Sequence, residues 1–173
     1  MKSIRELYRI GTGPSSSHTM APRRAAEIFQ RRNPECKYFR VTLYGSLAAT
    51  GRGHLTDKAI FDVLRPHGNV ELIWEPSVFK PFHPNGMRFE AIDENSVVDD
   101  WTVYSVGGGA LAEEDSAPIE SADIYPDGKL VDILKWCTDH GRTFWEYVEM
   151  HEGSDIWIFL SKIWRVMREA VER

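Results

Sequence analysis

The hydrophobic period changes part-way along this chain, and that change limits its folds more than any single motif. Tyr38 to Tyr44 alternates and is rich in β-branched and aromatic side chains, the pattern of a strand. Val70 to Trp74, Gly86 to Ile92 and Asp100 to Val106 read as further strands, the last with clean alternation into Gly107-Gly108-Gly109. Helical stretches lie before and among them. Met20 to Arg32 gathers Ala25, Ala26, Ile28 and Phe29 on one face, and Leu55 to Leu64 stops before Pro66. After an acidic loop at Glu113, Glu114 and Asp115 the strands cease. Leu130 to Asp139, Thr143 to Met150 and Ser154 to Glu172 all have helical spacing. Residues 1–125 are therefore expected to be mixed α and β, and residues 126–173 to be helical.

Smaller features fit this outline. Ser3 to Ile10 reads as a short helix, and Leu47 to Thr50 as a helix start or a close backbone approach. Thr19 is the expected N-cap of the Met20 helix, with Pro22 in its first turn. Ser154-Asp155 places an acidic cap at the positive end of the last helix. In that helix Ile156, Leu160, Ile163, Met167 and Ala170 follow a four–three spacing, while Trp157, Trp164 and Val171 recur every seven residues. So broad an apolar face packs either on this chain's own sheet or on a partner, and the two tryptophans are expected to face another copy or another domain.

Composition narrows the function classes. The 173 residues carry 21 Lys+Arg against 26 Asp+Glu, a net charge of −5, which argues against non-specific nucleic-acid binding. No apolar run approaches the roughly 20 residues a bilayer span needs, and MKSIRELYRI lacks an apolar signal core, so a cytoplasmic protein without a membrane role is expected. Cys36 and Cys137 are too few for a disulfide scaffold and have no close-spaced partner for a zinc or iron–sulfur site, so no metal site is expected in this chain.

Three stretches carry chemistry. Gly13-Pro14-Ser15-Ser16-Ser17-His18-Thr19 is a breaker-led loop feeding a helix, with three hydroxyls that suit a carboxylate or phosphate, or an ordinary serine-rich turn. It has neither the lysine nor the glycine spacing of a P-loop. Gly51-Arg52-Gly53-His54 sets an imidazole, a side chain able to accept a proton near neutral pH, just before a helix. Phe82-His83-Pro84-Asn85-Gly86-Met87 offers an imidazole and an amide for a carboxylate or hydroxyl, although Asn85-Gly86 is also a hairpin signal. The histidine spacings match no standard ligand pattern.

Jointly these stretches resemble a known family. Tyr8 to Thr19, Leu43-Tyr44-Gly45-Ser46-Leu47 through Gly53-His54, His83 to Phe89 and Tyr104 to Gly109 stand in the order found in the β domain of bacterial iron–sulfur-dependent L-serine dehydratase, across most of residues 1–110. The resemblance implies an α/β sandwich similar to an allosteric substrate-binding domain, with a small mixed or antiparallel sheet. It implies a serine dehydratase β domain over residues 1–125 and a helical linker over residues 126–173 leading towards a catalytic domain. The family deaminates L-serine to pyruvate and ammonia with a [4Fe–4S] cluster whose open iron acts as a Lewis acid on the substrate hydroxyl.

Carried over by position, His54 matches the base that takes the α-proton. His83 and Asn85 match positions lining the substrate cleft, and Ser15, Ser16, Ser17, His18 and Thr19 match a loop that binds substrate or shapes that cleft. The family's cluster cysteines belong to the catalytic domain, and neither Cys36 nor Cys137 falls in a matching motif. Ala21 stands where the family usually has glycine. The resemblance thus implies a chain inactive alone, partnered by a cluster-bearing domain or subunit, with L-serine as substrate and a homodimer as its assembly. A regulatory module binding serine or another small carboxylate is the alternative.

Overall fold

The structure, a computed structural model, describes residues 1–114 and 123–172, so Asp115 of the acidic loop lies outside the described residues. The chain divides into two compact units, one over residues 11–114 and one joining residues 1–10 to residues 123–172.

The first unit is built on a five-stranded open sheet. Its strands are β1 (Tyr38–Tyr44), β2 (Asn69–Glu75), β3 (Gly86–Asp93), β4 (Ser96–Gly107) and β5 (Ala110–Ala112), in the order β2-β1-β3-β4-β5. β1 and β2 run parallel and the other pairs are antiparallel, so the sheet is mixed. A parallel pair needs a crossover. Two helices supply it, α2 (Gly45–Thr50) and α3 (Thr56–Leu64). A third, α1 (Ala21–Arg32), packs beside α3.

Alternation along β1 makes the sandwich. Phe39, Val41 and Leu43 are fully buried among Ala25, Ala26, Phe29, Ile60 and Leu64 from α1 and α3. Phe89 and Ala91 of β3 extend this core, with Phe29 and Phe89 ring centroids 5.6 Å apart. Arg40, between the buried positions, instead pairs with Glu71 across the parallel strands at 2.7 Å. One face of the sheet is thus apolar and helix-covered, as strict period-two side-chain direction requires.

Turn chemistry differs from the expectation at one point. The hairpin between β3 and β4 turns on Glu94 and Asn95, both with positive φ (45° and 66°), as a two-residue primed turn demands. Asn85-Gly86 instead leads the chain into β3. β5, three residues after the glycine run, is too short to show in the sequence pattern.

The second unit comprises α4 (Leu130–His140), α5 (Phe144–Glu152), α6 (Ile156–Val171) and the first ten residues. Ser3 to Ile10 forms only a single 3₁₀ turn, Ile4–Glu6, because this segment is held by side chains rather than by its own helix. Glu152, 2% exposed, accepts hydrogen bonds from the Ser3 hydroxyl (2.7 Å), the Ile4 N–H (2.7 Å) and the Tyr125 hydroxyl (2.8 Å). Arg5 bridges from Glu152 to Asp155, so Asp155 pairs with a guanidinium and makes no side-chain cap on α6. Burial alone would raise the Glu152 carboxyl, but these donors and the Arg5 charge hold it below its ordinary range. Tyr125, Cys137 and Tyr147 form the small core, with Ile4 and Trp136 against it.

The apolar face of α6 is only partly used. Ile156 and Ile163 are buried and Trp157 meets Trp145 edge-on, whereas Trp164 is 63% exposed and Met167, Ile158 and Val171 stand open. Among the described residues no helix is long and apolar enough to cross a membrane.

Candidate active site

Two segments distant in sequence meet above the end of β1. Ser15 to Thr19 winds through a π-helical turn (Ser16–Met20) that runs into α1, and Thr50 to Thr56 joins α2 to α3. Each segment grips the other through a threonine. The Thr19 hydroxyl donates to the His54 carbonyl (2.9 Å), and the Thr56 hydroxyl donates to the His18 carbonyl (2.6 Å). Both threonines are buried, at 5% and 0% exposed. Thr19 itself lies inside the helical turn that runs into α1, so it caps no helix. Ser15 occupies the capping position instead, accepting from the His18 N–H at 3.2 Å.

The cross-link brings the imidazoles of His18 and His54 face to face, 4.7 Å between centroids at 34°. Burial, and then the neighbouring His54 charge, lower the His18 pKa, only partly opposed by the Ser46 backbone. His54 is fixed by its own hydrogen bond, Nδ1 to the Thr50 carbonyl at 3.0 Å. A carbonyl only accepts, so Nδ1 carries the ring proton, and in neutral imidazole the lone pair then sits on Nε2. The next residue, Leu55, has φ 58°, a left-handed conformation that costs a leucine about 1–2 kcal/mol and is held by the packed threonines around it.

His83 and Asn85 stand at the other end of the same short helix. The Ser46 N–H donates to the Pro84 carbonyl at 3.0 Å, which seats their loop on the first turn of α2, while Thr50 at the last turn meets both histidine rings. The two attachment points, Ser46 and Thr50, lie four residues apart on α2, about one helical turn. The His83 Nδ1 accepts the Asn85 N–H at 3.2 Å, so in the neutral ring Nε2 is a donor, the reverse of His54. Asn85 is tied to Ser105 by two contacts, from the Ser105 N–H to its carbonyl and from its own Nδ2 to the Ser105 carbonyl. Asn85 Oδ1 and Ser105 Oγ are buried without a partner.

Of the residues expected to form a site, Ser15, His18, Thr19 and His54 therefore converge at the last turn of α2, and the loop of His83 and Asn85 is attached to its first turn through Pro84. Ser16 is exposed on the π-helical turn, and no hydrogen bond joins Ser16 or Ser17 to either ring. The sequence reading missed Thr50, Thr56 and Ser105. Threonine flanking Gly51-Arg52-Gly53-His54 on both sides was the available signal, but single hydroxyls carry no spacing rule.

The Gly45 backbone is required where it stands. Its φ is +48°, and a Cβ there would lie 2.6 Å from the Pro84 carbonyl oxygen. Gly45→Ala is expected to cost about 1–2 kcal/mol, from the left-handed backbone and the displaced loop, read as a lowered thermal midpoint.

Cys36 Sγ donates to the Tyr38 carbonyl and Cys137 is buried in the aromatic core of the helical unit. Among the described residues no three His, Cys, Asp or Glu side chains converge to hold a metal ion.

An α/β sheet unit that fixes an imidazole through Nδ1–H and leaves its Nε2 without a hydrogen bond among the described residues, beside hydroxyls and an amide, has groups suited to proton transfer on a small polar substrate. The chain belongs to the serine dehydratase β chain family, whose model matches residues 3–67 and 62–116. It is similar to the L-serine dehydratase of Streptomyces coelicolor, 31% identical with 99% of this chain and 49% of the relative covered. L-serine dehydratase 2 of Escherichia coli is also 31% identical, covering 100% and 49%. The Mycobacterium bovis L-serine dehydratase is 34% identical over 66% of this chain and 34% of its own length. The chain spans about half the length of the curated relatives it matches. With Streptomyces coelicolor the match extends over 229 residues against 173 here, so the relative carries additional residues inside the matched region.

Proposed function

We propose that this chain is the β part of an enzyme that deaminates L-serine to pyruvate and ammonia, its site completed by a catalytic domain whose cysteines, outside this chain, hold a [4Fe–4S] cluster. The observation that carries the reading is the His54 ring. With Nδ1–H committed to the Thr50 carbonyl, Nε2 is left as a proton acceptor. His54 takes the α-proton of L-serine, the hydroxyl departs, and proton and hydroxide together make water. The aminoacrylate left behind hydrolyses to pyruvate and ammonia.

His83, a donor at Nε2, and Asn85 orient the substrate carboxylate or hydroxyl. Ser15, Ser16, Ser17, His18 and Thr19 shape the other wall. The reading includes a cytoplasmic enzyme that acts as a homodimer, and the exposed Trp164 and Met167 of α6 give it an apolar surface for a second copy or for the catalytic domain. Residues 1–125 serve as the β domain and residues 126–173 as the connection to the catalytic domain.

The test is anaerobic pyruvate formation from L-serine. The chain alone is expected to be inert and its combination with the cluster-bearing domain active. A combination that stays active when this chain is left out overturns the proposal and leaves a regulatory carboxylate-binding role.

A further inference from the structure

The threonine at the end of α2 has one hydroxyl proton and two neighbours that compete for it. Thr50 Oγ1 lies 2.9 Å from the Ser46 carbonyl and 2.9 Å from His18 Nε2. The carbonyl has no proton to give, so the threonine proton goes there, and His18 Nε2 must supply its own to the Thr50 oxygen. His18 is then the Nε2–H tautomer, with its lone pair on Nδ1, 3.4 Å from the Ser15 hydroxyl. The main chain of the same threonine accepts from His54 Nδ1. One residue therefore writes opposite tautomers into two neighbouring, tilted rings, through its side chain for His18 and its carbonyl for His54.

We infer that Thr50 is a positioning residue for proton abstraction, an inference that rests on His54 being the base. Clamped between Ser15 and Thr50, the His18 ring forms a fixed wall against His54, and its lowered pKa keeps it neutral there. The wall holds the His54 ring so that Nε2 keeps one direction. Without the Thr50 hydroxyl, His18 Nε2–H keeps only the Ser46 backbone as acceptor, and the Nδ1–H tautomer, donating to Ser15, competes with it.

Long-range proton–nitrogen correlation spectra of the full chain, taken above the histidine titration range, test this directly. In the wild type, His18 is expected to carry its proton on Nε2 and His54 on Nδ1. Thr50→Ser keeps both states. Thr50→Val mixes the His18 tautomers and leaves His54 on Nδ1, because the carbonyl remains. With the cluster-bearing domain added, Thr50→Val lowers kcat by about tenfold, the worth of one hydrogen bond, with KM unchanged, and Thr50→Ser restores it. A wild-type His18 protonated on Nδ1, a Thr50→Val spectrum identical to wild type, or a loss that Thr50→Ser fails to rescue overturns the inference. A wild-type rate in His54→Gln sinks the underlying reading instead, and does so without altering the tautomer spectrum of His18.

Discussion

If His54 is the base, as proposed, replacing it by glutamine or asparagine is expected to lower turnover of L-serine by about 10²–10⁴-fold in the chain combined with the proposed cluster-bearing domain, the range a positioned general base contributes. Asparagine is the more informative change. Its amide nitrogen can stand where Nδ1–H donates to the Thr50 carbonyl, and it places nothing at Nε2. The two substitutions therefore separate anchoring from proton acceptance. KM should move little and the visible absorbance of the cluster should be unchanged. Turnover within about threefold of wild type, well below the contribution of a base, would place proton abstraction elsewhere.

The second large effect concerns stability. Glu152→Ala is expected to destabilise the helical unit by about 3 kcal/mol or more, because it strands the Ser3 and Tyr125 hydroxyls, the Ile4 N–H and one contact of Arg5. Tryptophan fluorescence reports mainly this event, since Trp136, Trp145, Trp157 and Trp164, four of the six tryptophans, lie in this unit. The same carboxylate sets a pH dependence with a definite sign. Its pKa is lowered on folding, so its contribution is complete above the ordinary value of 4.5 and is lost as the pH falls through the lowered one. Urea midpoints followed by tryptophan emission should fall more steeply on acidification in the wild type than in Glu152→Gln. Parallel curves would assign the acid sensitivity to other carboxylates.

Much of the architecture could be read from period alone. β1 to β4 and all three terminal helices lie where alternation and helical spacing put them, because one-face burial leaves a local trace. Long-range partners leave none. Nothing near Ser3 shows that its segment is held by Glu152, and nothing near Asp155 shows that Arg5 claims its carboxylate ahead of a helix cap. Thr19 failed as a cap because the chain is already helical there, the Ser16–Met20 turn running straight into α1. At the site, residue types and motif order singled out His54 and the serine loop as candidates. That His18 lies against His54 depends on how α1 and α3 pack, and Thr50 gained significance only once three acceptors and two rings had coordinates.

The reciprocal grip of Thr19 on the His54 carbonyl and Thr56 on the His18 carbonyl also bears on how such a chain can change length over time. A residue gained or lost inside 15–19 or 50–56 would put both carbonyls out of step with their threonines together, and no single compensating substitution restores two registers. Length variation is thereby channelled into the surface connections, where strands and helices end and no such lock exists. Relatives of unequal size should therefore differ in their loops while these two short stretches keep their residue count.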